Sequence, residues 1–332
     1  MWPTNEDVHH WCSLFSESRP TNLRHLMLSS NILVTETFPP LLPALFPHLE
    51  VLDLSDNPSG TRGGLFRQNL LLLLPPVNLP RLKQIKIHTH WPPSIDDVLR
   101  ILQKIVPARG CTLQFCSVSP DDFNSVNSFS DVLPKYLQYA REIFSPLSGI
   151  KADVTIASNI VEFLVSTRDQ EYLKFLLKCE DRDCSVQIIP DFIACFDSFE
   201  CKEIKRLSLV LHPPLERPEL VSTAIERLTR AFPQLEELEV DGDTLHNLDL
   251  FQQDVQFIVF PALKSITVRK CGAQWIKSFM DSRISSGGTV ETLALTIDPD
   301  IIAVLGILRS FEGLTLQLSD PEGQVSLSMR IE

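Results

Sequence analysis

Two residues of the chain, His88 and Cys116, have the side chains and the spacing with which nucleophilic catalysis could begin. They occupy equivalent positions of neighbouring predicted strands, where their side chains could meet. An imidazole beside a thiol makes a catalytic nucleophile only with a third group that orients the base and with an oxyanion site. The sequence indicates neither, so we expect no catalysis by this pair, no enzymatic activity and no cofactor.

Metal and phosphate chemistry are disfavoured as well. His88 and His90 are two residues apart on a predicted strand, and we expect them to share no metal ion. The eight cysteines include no C-x-x-C pair, and the glycine-rich run at 60–64 lacks the lysine of a phosphate-binding loop. The net charge is −12, and no cluster of Lys and Arg marks a nucleic-acid surface.

The elements that position these residues follow a recurring pattern, L-x-x-L-x-L-x-x-N. Two complete copies are present, at Leu23, Leu26, Leu28 and Asn31, and at Leu49, Leu52, Leu54 and Asn57. Leucines at alternate positions of a strand point to one face, and the asparagine can satisfy backbone groups in the turn that follows. The pattern is typical of leucine-rich repeats, whose units bury their apolar faces only by stacking.

Looser copies extend the pattern. They lie at Leu82, Ile85, Ile87 and His90, at Ile204, Leu207, Leu209 and His212, at Leu235, Leu238, Val240 and Asp243, at Leu263, Ile266, Val268 and Cys271, and at Val290, Leu293, Leu295 and Asp298. Helical spacing predicts a capping helix over 5–18 and further helices over 94–106, 132–144 and 222–232. Alternating apolar residues predict strands between 149 and 190, with a helix as the alternative for 171–179, and a hairpin around 320–323 ends the sequence.

A second recurrence precedes several repeats. The motif (F/L)-P-x-L occurs at 46–49, 79–82, 232–235 and 260–263, and its proline favours an extended residue before it. The motif resembles the leucine-rich-repeat region of fungal, mushroom-type F-box proteins, over roughly 22–118 and 204–332. The resemblance implies that the repeats hold a protein destined for ubiquitination. It implies a cullin-ligase linker subunit as partner only if an F-box equivalent exists, since the roughly twenty residues before the first repeat are too few for a recognisable F-box.

The predicted fold class is α/β: an irregular leucine-rich-repeat solenoid, or horseshoe, with a parallel concave sheet, convex helices and loops, and a C-terminal hairpin cap. We expect one continuous domain with a capping helix at 1–21, repeats at 22–118, irregular strand-rich repeats at 149–203 and further repeats with a hairpin cap at 204–332. Residues 119–148 are expected to form an insertion, a loop followed by a helix that is interrupted near Pro134. No apolar run is long enough to cross a membrane, and the first residues lack the features of a secretory signal. We therefore expect a monomeric cytoplasmic or nuclear protein.

The side chains between the inward leucines form the predicted binding face, which would take a protein or peptide ligand. The candidates are His25, Met27, Asp53, Ser55, Lys86, His88, Arg206, Ser208, Glu237, Glu239, Asp241, Thr267 and Arg269. Three of them, Glu237, Glu239 and Asp241, predict an acidic step. The alternative interpretation is that all are solvated strand positions of a stand-alone scaffold or of a degenerate F-box homologue without a ligase role.

Overall fold

A computed structural model describes residues 22–28, 43, 46–55, 76–89, 102–118, 129–144, 149–178, 182–198, 201–212, 219–255, 258–296, 306, 308–319 and 325–332. The chain divides into two compact units. Unit 1 comprises Met1–Pro146, Asn159–Leu164 and Gln170–Cys195, and unit 2 comprises Leu147–Ser158, Val165–Asp169 and Phe196–Glu332. Both units are mixed α/β structures, and each contains a mostly parallel sheet.

Strands and helices are numbered in chain order. The strands are β1 (His25–Leu28), β2 (Val51–Ser55), β3 (Val77–Leu79), β4 (Gln84–Thr89), β5 (Ile105–Pro107), β6 (Thr112–Val118), β7 (Lys151–Ala157), β8 (Ile160–Ser166), β9 (Glu171–Lys178), β10 (Arg206–His212), β11 (Glu237–Asp241), β12 (Ser265–Arg269), β13 (Thr292–Thr296), β14 (Thr315–Ser319) and β15 (Val325–Arg330). The helices are α1 (Phe129–Phe144), α2 (Arg182–Ala194), α3 (Glu219–Ala231), α4 (Gly242–Val255) and α5 (Ala273–Ser285), with a short 3₁₀ turn at Cys195–Ser198.

Unit 1 is built on the strand order β1-β2-β4-β6-β9-β8, in which β1, β2, β4, β6 and β9 are parallel. Strands β3 and β5 form a separate two-stranded parallel sheet. In unit 2 the order is β7-β10-β11-β12-β13-β14-β15, parallel throughout except for the final β14–β15 pair. Among the residues placed, no helix is long and apolar enough to cross a membrane.

Buried and more exposed residues alternate along the strands, as predicted, so that one face of each sheet is buried. In unit 1, Ile85, Leu113 and Phe115 are fully buried, and the rings of Phe115 and Phe175 stack with centroids 4.9 Å apart. In unit 2, Leu207, Leu238 and Ile266 are in register across β10, β11 and β12, and each is at most 2% exposed. Fully burying such a side chain contributes about 1.5–3 kcal/mol, so these rows are the main source of stability.

The (F/L)-P-x-L motif forms a β-turn at each of its four positions. The leucine N–H donates to the carbonyl of the motif's first residue, at 3.1 Å for Leu49, 3.0 Å for Leu82, 3.2 Å for Leu235 and 3.0 Å for Leu263. Proline is favoured at the second position of such turns because its φ is already fixed there. The expectation of an extended residue before proline is wrong at Phe260, whose φ is 48°.

A buried arginine holds the turn that contains Phe260. Arg283 of α5 is 1% exposed, and its guanidinium donates to the carbonyls of Val259 at 2.6 Å and Phe260 at 3.0 Å. Longer contacts of 3.4 Å reach the carbonyls of Leu263 and Thr289. Burial lowers the pKa of Arg283 to about 10, so the side chain remains charged at neutral pH and fixes α5 against the start of β12.

Three predicted elements differ from the structure. The strand expected around Val186 and Ile188 is wrong, because these residues lie in α2, where Ile188, Ile189, Phe192 and Ile193 form a helical apolar face. The helix expected to reach residue 106 ends earlier, since 105–107 form β5, and Pro107 disfavours a helical conformation of the residue before it. The interruption expected at Pro134 is absent, and α1 continues through it.

The remaining strands are largely as predicted. Strands are confirmed in 151–178, where the alternative of a helix over 171–179 is wrong. The C-terminal hairpin is also confirmed. Helix α3 matches the helix expected over 222–232. The capping helix over 5–18, the closing residues Asn31, Asn57 and Asp298, and the loop part of the insertion at 119–128 lie outside the described residues.

Candidate functional site

The structure brings the candidate residues of each unit together in rows across its sheet. In unit 1, Met27, Asp53 and Lys86 are in register on β1, β2 and β4, and His25 is in register with Val51. Ser55 is in register with His88. Met27 is 63% exposed, and His25 and His88 are also exposed, so this row faces away from the buried leucines.

In unit 2 the rows are equally regular. Arg206 is in register with Glu237, Ser208 with Glu239, and Glu239 with Thr267. Asp241 is in register with Arg269. Because strand neighbours in register lie about 5 Å apart, these side chains can interact directly across the sheet.

The acidic step expected at Glu237, Glu239 and Asp241 is a set of ion pairs and not a free acidic patch. Cationic side chains pair with two of the three carboxylates, and an imidazole contacts the third. Glu239 accepts from Lys151 at 3.0 Å and from Arg269, Glu237 pairs with Arg206 at 2.9 Å, and Asp241 Oδ2 lies 2.8 Å from His212 Nε2. These contacts connect neighbouring strands, and the charges of Glu237 and Glu239 are balanced within the protein.

Lys151 is the most connected member of this network. Its Nζ lies 2.9 Å from Asp153 and 3.0 Å from Glu239. Burial lowers the pKa of Lys151, but the hydrogen bonds to Asp153 and Glu239 outweigh it, so the pKa is raised. The ammonium thus carries its charge throughout the physiological range.

Sequence reasoning missed three members of the network, namely Lys151, Asp153 and His212. The first two alternate with the buried residues of β7, which was recognised as a strand but not assigned to the binding face. The K-x-D alternation at 151–153 is the signal that could have placed them there. His212 was recognised only as the closing residue of its repeat.

The C-terminal ends of β10 and β11 are fixed by helix α4. Asp241 caps the helix, because its Oδ1 accepts from the Thr244 N–H at 2.9 Å. The Leu211 N–H donates to the Thr244 hydroxyl at 2.9 Å, and Asn247 donates to the Leu211 carbonyl at 3.2 Å. Helix α4 therefore provides hydrogen-bond partners for the backbone N–H and carbonyl of Leu211. This residue lies beyond Leu209, the last residue of β10 that pairs with β11.

The other half of the unit 2 face is uncharged apart from Arg269 at the end of β12, which pairs with Glu239. Its other residues on β12, β13 and β14 are half-buried and carry hydroxyl, methyl or amide groups: Ser265, Thr267, Thr292, Ala294, Thr296, Thr315, Gln317 and Ser319. Ser265, Thr292 and Thr315 form one row, and Thr267, Ala294 and Gln317 form the next. These short side chains protrude little from the sheet, so their polar groups can form hydrogen bonds with a ligand.

Alternating charges also mark the starts of the strands. Glu50 lies between Arg24 at 3.7 Å and Lys83 at 3.1 Å, and Glu236 lies between Lys205 at 2.6 Å and Lys264 at 3.1 Å. The hydrogen bond from Lys83 lowers the pKa of Glu50, and those from Lys205 and Lys264 lower the pKa of Glu236. Each acid thus bridges two neighbouring strands.

The candidate nucleophile pair is brought together but is not activated. His88 and Cys116 are in register on β4 and β6. Burial raises the pKa of Cys116, Lys174 lowers it, and Glu171 and Glu162 raise it, so the net effect favours the thiol. Among the described residues, no three His, Cys, Asp or Glu side chains are arranged to hold a metal ion.

No protein-family model and no curated protein sequence matches the chain. Among solved structures, the leucine-rich repeat-containing protein LegL7 from Legionella pneumophila is similar, with a TM-score of 0.38 and 14% identity over 95% of this chain and 89% of that chain. None of these findings points to a fungal F-box protein, and the repeats are assigned from the spacing of the chain's own leucines and the register of its strands.

Proposed function

We propose that the protein is a non-enzymatic module that binds a protein or peptide on the polar face of its parallel strands. The observation that carries this proposal is the regular polar surface of unit 2, in which Ser208, Glu239 and Thr267 stand in one row opposite a continuous buried leucine row. Repeat proteins commonly use such a face for recognition, because successive repeats offer equivalent positions along an extended ligand.

The pairing of charges limits the chemistry of the ligand. A ligand that binds over β10 and β11 meets carboxylates already bonded to Lys151, Arg206 and Arg269. Over β12 to β14 it meets hydroxyl and amide groups. The surface therefore suits a polar segment of low net charge, whose backbone and side chains hydrogen-bond to the face, and does not suit a strongly basic one.

A narrower form of the proposal is substrate recognition in an F-box-like ubiquitin ligase. It derives from the (F/L)-P-x-L motif at the starts of the repeats and needs a docking element for the cullin-linker subunit. This role requires a continuous horseshoe, which is part of the same proposal. Its segments would be 22–118, 119–148, 149–203 and 204–332.

A second candidate function is a stand-alone scaffold whose polar face is only solvated. The ion pairs favour this alternative, since Glu237 and Glu239 satisfy their charges within the protein. The two candidates differ in one measurable property, which is whether the face makes a stable contact with another protein.

Affinity purification of the full chain, followed by mass spectrometry, distinguishes these functions. We would compare the wild type with Ala294→Arg, which raises a large side chain on the uncharged face, and with Ser222→Arg on the exposed surface of α3 as the matched control. Binding on the face predicts a partner that is lost with Ala294→Arg and kept with Ser222→Arg. Recovery of a cullin-linker subunit would support the ligase role, whereas an identical set of proteins with all three chains would support the scaffold.

A further inference from the structure

Strand β15 is an edge strand with an exposed apolar face. It pairs with β14 along one edge only, and the sheet order of the described residues ends with it. Leu327 and Met329 stand opposite Leu318 and Leu316, which are core residues, yet they are 46% and 36% exposed. This apolar face continues the core row of unit 2 and is incompletely covered.

Among the described residues, no strand pairs with the outer edge of β15, so backbone groups there lack a strand partner. The Ile331 N–H donates to the Leu314 carbonyl at 2.9 Å, and the Gly313 N–H donates to the Ile331 carbonyl at 2.8 Å. Hydrogen-bonded residues alternate along an antiparallel strand, so the backbone groups of Met329 also point to β14. Those of Ser328 and Arg330 therefore point to the outer edge.

Strand β15 is irregular at its start and regular after it. The register with β14 shifts between Val325 and Leu327, as at a β-bulge, and the segment from Leu327 to Met329 contains no proline and no charge. Natural proteins usually block an exposed edge with a proline, an inward-pointing charge or a bulge. The regular part of β15, from Leu327 onward, has none of these features and is suited to accept another strand.

We propose that β15 pairs antiparallel with β15 of a second copy of this chain and forms a symmetric dimer. A two-fold axis through Ser328 places Ser328 opposite its own copy and Leu327 opposite Met329. The four apolar side chains then lie together on one face, and no two like charges meet. This self-complementarity is what a symmetric dimer interface requires.

The dimer is predicted to be weak, because a single pair of short strands gives an interface at the small end of the observed range. Pairing uses the edge of unit 2 and leaves the polar face proposed for ligand binding free. The two proposals therefore stand or fall independently.

Sedimentation equilibrium of the full chain over a concentration series tests the dimer. Ser328→Pro removes an outward N–H without breaking the bond to β14, since proline is tolerated on edge strands with this orientation. Leu327→Lys places a charge at the centre of the apolar cluster. The matched control is Leu250→Lys on α4, because Leu250 is 47% exposed and Leu327 is 46% exposed.

Wild type and Leu250→Lys are expected to approach twice the 37.5 kDa mass of one chain at high concentration. Ser328→Pro and Leu327→Lys are expected to raise the dimer Kd about tenfold or more, with unchanged far-UV circular dichroism. A monomeric wild type at all concentrations would overturn the proposal, and so would a dimer that survives both β15 substitutions.

Discussion

Lys151 and Glu239 form an ion pair with a distance of 3.0 Å between Nζ and Oε2, although β10 lies between their strands. The pair can form because Ser208, in register with both Asp153 and Glu239, is small enough for the lysine to reach across it. A single interaction thereby connects three strands, β7, β10 and β11. The network turns the predicted acidic step into a stabilising element of unit 2.

The first prediction compares two glutamates of β11 that differ in burial. The Glu239 side chain is 21% exposed and has two cationic partners, whereas Glu237 is 50% exposed and pairs with the half-exposed Arg206. Glu239→Gln is expected to lower the free energy of unfolding by about 1 kcal/mol and Glu237→Gln by less than about 0.5 kcal/mol. Urea denaturation measures both, and equal losses would contradict the network.

The second prediction concerns acid stability. The pKa of Glu236 is lowered below its usual value of 4.5, so the stabilisation from this carboxylate is present above about pH 4.5 and is lost as the pH falls through its folded-state pKa. Glu236→Gln is expected to melt at a lower temperature at neutral pH and to lose less stability on acidification. Melting temperatures between pH 7 and pH 3 test this, and parallel curves for the two chains would refute it.

A third prediction concerns the buried guanidinium. Arg283→Met leaves the carbonyls of Val259 and Phe260 without their donor and is expected to cost about 3 kcal/mol. Lys277→Met is the control on the same helix, because Lys277 is 47% exposed and pairs with the exposed Asp281. Its expected loss is within about 0.5 kcal/mol. Similar chemical denaturation midpoints for both variants would show that Arg283 does not fix the turn.

The fourth prediction tests the assignment of a structural role to Cys116. Because the pKa of its thiol is raised, iodoacetamide is expected to alkylate Cys116 more slowly in the folded protein than in urea, with a rate that increases toward alkaline pH. Peptide mass spectrometry separates Cys116 from the other cysteines. Labelling of the native thiol that is faster than in urea would reopen the possibility of a catalytic pair with His88.

The sequence predicted burial correctly where the position of a residue along a strand determines which face of the sheet its side chain occupies. Alternation placed Leu238, Ile266 and their neighbours in the core because the period of two in a strand depends only on local spacing. The error at Val186 and Ile188 arose because a short apolar run fits a strand and a buried helix equally well. The burial of Ile188, Ile189, Phe192 and Ile193 on one helical face resolves this ambiguity.

The candidate site could be predicted only in part, because its electrostatics depend on the order of strands. Spacing predicted that Glu237, Glu239 and Asp241 share a face. Their partners could not be assigned without the register, since Lys151 lies 88 residues before Glu239 in the chain. The closing contact of His212 with Asp241 likewise depends on β10 extending past its pairing with β11.

The most direct test of the proposed binding face is site-specific photo-crosslinking of the intact chain in a cell extract. A benzophenone amino acid is introduced at Thr267 on the face of β12 and, as a control, at Ser222 on α3. The proposed function predicts one discrete adduct with another protein from Thr267 and none from Ser222. The absence of an adduct at Thr267, or the same adduct at both positions, would contradict a ligand-binding face.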